Sequence, residues 1–144
     1  MSLPKPEPGL VISYAYLWRH EHNRGQEEGR KHRPCVIVLA VEKAGGRATR
    51  VTVAAVTHTP PTPDAAAVEM PQKVKQHLGL DDAQSWIIVN EVNQFDWPGF
   101  DLRPLPGQND TFAYGFIPPR LYEAVKATLL ETHAKRTMRV IPRD

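Results

Sequence analysis

The sequence predicts a mainly β domain, a small barrel of short antiparallel strands with helices appended. Three observations predict it. Short stretches rich in β-branched and aromatic residues recur along the chain, bounded by turn residues. Fourteen prolines in 144 residues punctuate it into short elements. Strands and helices do not alternate in a βαβ rhythm, and no segment repeats. The length fits one domain by the prior of roughly 100–200 residues per domain.

The elements follow in order. Residues 1–8 are proline-rich and read as a flexible N-terminal arm. The barrel domain spans residues 9–133. Over residues 9–18, Leu10, Ile12, Tyr14, Tyr16 and Trp18 alternate with smaller side chains, a period of two that predicts a strand. Residues 20–32 are polar and charged, with two glycines, and read as a long loop of the kind that often carries function. Pro34 blocks backbone pairing just before the run at 35–41, which is apolar on both faces and predicts a buried central strand. Gly45 and Gly46 supply a hairpin turn, residues 50–57 return, and the prolines at 60, 61 and 63 end the strand.

Residues 66–70 read as a short edge strand. Pro71, Val74, Leu78 and Gly79 mark a two-turn helix with a glycine stop. Residues 85–92 predict a further strand, residues 93–110 an irregular excursion broken by prolines and glycines, and residues 112–117 a short strand. Pro118 and Pro119 open a helix that carries Leu121, Val125 and Leu129 on one stripe to about His133. Residues 134–144 form a basic C-terminal tail, in which Val140 and Ile141 can dock as a strand.

Composition bounds the function. Apolar residues make up 41% of the chain and charged residues 24%, which excludes a disordered or collagen-like chain. No apolar run approaches the ~20 residues of a membrane span, so we expect no membrane association. The N-terminus carries no apolar core before a cleavage site, so the expected location is the cytoplasm. A single cysteine, Cys35, supplies neither an internal disulfide nor a zinc cluster. The net charge of +2 is too weak to announce a nucleic-acid binder by itself.

No phosphate-binding glycine loop, nucleophile elbow or zinc-protease motif is present. His20 and His22 sit in the charged loop and read as solvated rather than metal-ligating. Cys35 reads as a buried thiol rather than a nucleophile paired with His58. Asp81 and Asp82, after Gly79-Leu80, read as a solvated loop. One constellation carries chemistry. In an antiparallel hairpin the start of the first strand and the end of the second lie side by side. Arg33 and Thr57 therefore become neighbours at one end of the sheet, with Glu28 and His58 nearby. A guanidinium offers a planar fork of donors to phosphate oxygens, a hydroxyl adds one more, and a carboxylate or imidazole takes a proton. The bland alternative is an Arg–Glu ion pair beside a threonine bonding its own backbone.

The run Glu28-Gly29-Arg30-Lys31-His32-Arg33-Pro34, the strand ending in Val56-Thr57, Leu78-Gly79-Leu80 and the Ser85-started strand resemble, in that order, the pattern of the MazF/PemK toxin superfamily. The similarity spans about residues 9–131. It implies an SH3-like barrel, usually a homodimer, whose members include metal-independent endoribonuclease toxins neutralised by an antitoxin protein. Such enzymes cut single-stranded RNA and leave a 2′,3′-cyclic phosphate. In one branch the catalytic residues match Arg33 and Thr57, with the loop glutamate best matched by Glu28 and Glu27 one residue off. His58 is a second candidate base, since an imidazole changes charge near neutral pH. Arg30 and Lys31 would attract the RNA backbone, and Trp97, Trp18 or Phe95 would stack its bases. No cofactor or metal is expected. In another branch an arginine and an aspartate on a later strand do the chemistry, and those positions here are Ile88 and Asn90. The chain then becomes an inactive barrel that binds RNA or a protein.

Overall fold

The computed structural model describes residues 3–18, 32–46, 48–135 and 138–143. Among them, eight strands form one curled sheet, and two helices pack against it. The strands are β1 (Leu10–Tyr14), β2 (Arg33–Glu42), β3 (Thr49–Thr57), β4 (Ala67–Met70), β5 (Ser85–Ile88), β6 (Glu91–Asp96), β7 (Ala113–Phe116) and β8 (Arg139–Pro142). The helices are α1 (Gln72–His77), between β4 and β5, and α2 (Pro119–Ala134), between β7 and β8. Hydrogen-bonded neighbours run β4-β5-β3-β2-β1-β7, and β6 pairs with β3 and β8. Every pairing is antiparallel except that of β6 with β8. The expected mainly β barrel-like domain with a C-terminal helix is the architecture observed.

The period-two patterns sort side chains onto two cores. Leu10, Ile12, Tyr14, Cys35, Ile37, Val53 and Ala55 pack on one face of the central strands, together with Phe95. Val11, Val36, Val38, Ala54 and Val56 pack on the other, against Val74 and Leu78 of the α1 region and Val125 and Leu129 of α2. Because both faces are covered, β1 and the Cys35–Val38 stretch of β2 are buried. The second half of β2 leaves this cover, and Leu39 and Val41 are exposed. Val38 is the extra residue where the β2–β3 register shifts, and its carbonyl accepts the Tyr122 hydroxyl of α2 at 2.9 Å.

Several boundaries differ from the sequence expectation: the first strand ends at Tyr14 rather than at residue 18, and three further differences bear on the site. The run at 85–92 is two strands: β5 leaves β3 at Ile88, and β6 begins at Glu91 on the other half of β3. The Asn90 side chain sits in that break, its Oδ1 accepting the Ala66 N–H at 3.2 Å. The irregular excursion consequently starts after Asp96, not at residue 93. It runs along β1, where Asp101 O accepts from Ala15 N at 2.7 Å and Arg103 N donates to Ser13 O at 2.8 Å. Finally, Pro34 lies inside a strand, opposite Ser13 of β1. The Ser13 N–H bonds to Phe112 on its other side, so the missing Pro34 N–H falls on the side facing β3.

The tail docks through β8, where Val92 lies opposite Val140 and Asn93 opposite Ile141. Ile141 is buried, and Arg143 N donates to Gln94 O at 2.7 Å. No helix among the described residues is long and apolar enough to cross a membrane.

Candidate functional site

The consequence of Pro34 is a split in the sheet. The β2–β3 ladder ends at Cys35 and Ala55. Beyond that pair β2 stays with β1, Arg33 lying opposite Tyr14, while β3 turns to β5, Thr57 lying opposite Trp86. The gap between the diverging ends is a cavity of about 700 Å³. Arg33 and Pro34 form one lip, and Val56, Thr57, His58 and Thr59 the other. The end of α1 closes the floor with Lys75 and Leu78, and Leu105, Pro106 and Gln108 of the excursion add a wall.

The Arg33 guanidinium lies over the Trp18 ring, 5.1 Å from its centroid, a cation–π contact. Its Nε is buried and has no hydrogen-bond partner among the described residues. Thr57 Oγ1 accepts the Thr59 N–H at 3.1 Å, which leaves its own proton to donate. Arg33, Thr57 and His58 thus share one cavity. Glu28, Arg30 and Lys31 lie outside the described residues, as do His20 and His22. Trp97 does not line this cavity: its N–H bonds to Thr49 at the opposite end of β3, and its ring stacks near Phe95 with centroids 6.2 Å apart. Phe95 is fully buried. Cys35 is also fully buried, and burial pushes its thiol well above the ordinary range, so it is no nucleophile.

A polar network on the cavity floor was not legible in the sequence. Lys75 is 1% exposed, yet its ammonium has three acceptors: Asp81 Oδ1 at 2.6 Å, Ser85 Oγ at 2.7 Å and Ala83 O. Three donors thus meet three acceptors, which is how a buried ammonium is tolerated. The chain reaches this geometry through the end of α1, where Gly79 adopts a φ of +71° and Leu80 N donates back to Lys75 O. That reversal brings Asp81 over the lysine it follows by six positions. The other Asp81 oxygen, Oδ2, lies 2.9 Å from His58 Nε2. Asp81 is therefore not a solvated loop residue only: it bridges a buried cation and a cavity-lining imidazole. A lone lysine beside Val74 in a short helix carries no sequence signal for this.

Hydrogen bonding from Lys75, helped by the Ala83 N–H and His58, holds the Asp81 carboxyl below its ordinary 3.8, against a desolvation that raises it. With its folded value depressed, Asp81 contributes stability above the unfolded value. That contribution fades as pH falls from about 3.8 toward the lower folded value. Asp81→Asn should therefore flatten the acid limb of the stability profile, which urea unfolding at a series of pH values measures. At neutral pH the substitution should cost about 1–3 kcal/mol, since Lys75 loses its charged acceptor.

Ile88 is buried and Asn90 is engaged with Ala66, so neither presents an arginine or aspartate function. Compared with protein-family models, with curated proteins and with solved structures, the chain finds no match.

Proposed function

We propose that the protein is an endoribonuclease that cleaves single-stranded RNA without a metal, leaving a 2′,3′-cyclic phosphate, as the resemblance of its motifs implies. The observation that supports this is the convergence of Arg33, Thr57 and His58 on one cavity. In this reaction the nucleophile is the substrate's own 2′-hydroxyl, so the protein need only orient it, move protons and stabilise charge. The Arg33 Nε, which has no hydrogen-bond partner among the described residues, and the Thr57 hydroxyl are donors for the non-bridging phosphate oxygens. His58, or Glu28 from the loop, accepts the 2′-hydroxyl proton. The same resemblance makes a homodimer and a cognate antitoxin its expected partners.

Incubation with a mixed-sequence RNA in EDTA tests the reading. Fragments ending in cyclic phosphate and beginning with a 5′-hydroxyl are expected, and intact RNA at high protein concentration overturns it. A second reading draws on Ile88 and Asn90, which are committed to core and backbone. On this reading the barrel binds RNA or a protein segment without reacting, and RNA retention in the absence of cleavage, weakened by salt, would select it.

A further inference from the structure

The cavity holds a second histidine. His32 precedes Arg33 on the β2 lip, and His58 follows Thr57 on the β3 lip, so the split that parts the strands sets an imidazole on each side. Each is tethered through one ring nitrogen. Ser13 is fully buried, and its hydroxyl donates to Pro104 O at 3.3 Å, which leaves its oxygen to accept from His32 Nδ1 at 3.1 Å. His32 Nδ1 then carries a hydrogen, and Nε2 is the nitrogen left to exchange a proton. On the other lip Asp81 can only accept, so His58 Nε2 carries the hydrogen and Nδ1 keeps the lone pair.

We infer that His58 and His32 act as a base and acid pair, with Ser13 and the Lys75-anchored Asp81 as their positioning residues; this rests on the ribonuclease reading above. Transfer of a phosphoryl group from the 5′-oxygen to the 2′-oxygen needs a proton removed at one oxygen and supplied at the other. His58 Nδ1 takes the 2′-hydroxyl proton as the 2′-O–P bond forms. Protonated His32 Nε2 gives its proton to the 5′-oxygen as the P–O5′ bond breaks. The products are a 2′,3′-cyclic phosphate and a 5′-hydroxyl, and the two rings regain their starting states by exchange with water. Neither assignment requires the loop carboxylate.

The test separates the two roles by substrate. In a dinucleotide with a 5′-bridging sulfur, the thiolate departs without a proton. On ordinary RNA, His32→Gln and His58→Gln should each lose about 10²–10⁴-fold in rate. On the sulfur-bridged substrate His32→Gln should recover to near the native rate while His58→Gln stays slow. Both side chains are exposed, so neither substitution threatens the fold. Histidine ring ¹⁵N shifts should show the Nε2–H form of His58 in the native protein and a mixture of tautomers in Asp81→Ala, which has no acceptor there. Full activity of His32→Gln on ordinary RNA, no rescue by sulfur, or an unchanged tautomer in Asp81→Ala overturns the inference while the ribonuclease reading stands. A native protein that cuts neither substrate overturns both.

Discussion

Arg33→Ala should lower the rate of RNA cleavage by about 10²–10³-fold, the loss that follows removal of one fixed donor to a developing oxyanion. The guanidinium suits this role because of what surrounds it. The cation–π contact with Trp18 holds it in place, and a buried donor with no partner among the described residues is desolvated before the phosphate arrives. Arg33→Lys keeps the charge but loses both the planar fork and the Nε–H, so it should recover little of the rate. Thr57→Ser should stay near native, since a serine hydroxyl still accepts from Thr59 N and still donates; Thr57→Ala should not. If Arg33 and Thr57 act on one phosphate, the double variant Arg33→Ala with Thr57→Ala should fall short of the product of the single losses. Arg33 pairs in the sheet through its backbone, opposite Tyr14, so the variants should unfold at denaturant concentrations close to native. Single-turnover cleavage at saturating protein measures the effect, and cutting that survives the double substitution removes these two residues from the mechanism.

Much of this site was legible because hairpin geometry is local. Reading a strand start just after Arg33-Pro34, a turn at Gly45-Gly46 and a strand end at Thr57 suffices to set the two side chains at the same end of the sheet. What the hairpin alone does not show is that its ends part. That depends on β1 holding Arg33 and β5 taking Thr57, two pairings to distant segments. The expectation that Pro34 merely precedes the strand missed the more useful consequence, a proline whose absent N–H faces the very strand that must diverge. The break between β5 and β6 was hidden for a related reason: Trp86 to Val89 and Val92 are apolar on both sides of it, and only Asn90 hints at a turn. Lys75 and Asp81 were illegible because local pattern assigns charged residues to solvent. Burial of an ammonium becomes favourable only once Ser85 and Ala83 return to meet it. The docking of the tail was readable from Val140 and Ile141, but its anchor, Arg143, looked like one basic residue among several.

That anchor carries the largest expected effect on stability. Asp101→Ala should cost about 3–5 kcal/mol, the range seen when one partner of a buried ion pair is removed and the other stays behind. Arg143 Nη2 lies 2.9 Å from Asp101 Oδ2, and the side chains are only 9% and 3% exposed. The pair joins the excursion to the segment after β8, and the Tyr14 hydroxyl approaches the same oxygen at 3.5 Å. Burial, with Asp101 adding to it, pushes the Tyr14 phenol far above its ordinary range, so it remains a donor to the carboxylate at any working pH. Arg143→Met should also destabilise, but with a different signature. It leaves a buried carboxylate that relieves itself by protonation, so part of the loss should return as pH falls, opposite in sign to the behaviour expected from Asp81. Because the two changes meet at one contact, Asp101→Ala with Arg143→Met should cost clearly less than the sum of the single losses. Urea unfolding with an unchanged slope measures all three variants. Additive losses would mean that the two charges stabilise the fold separately and that the tail is held by the β6–β8 ladder alone.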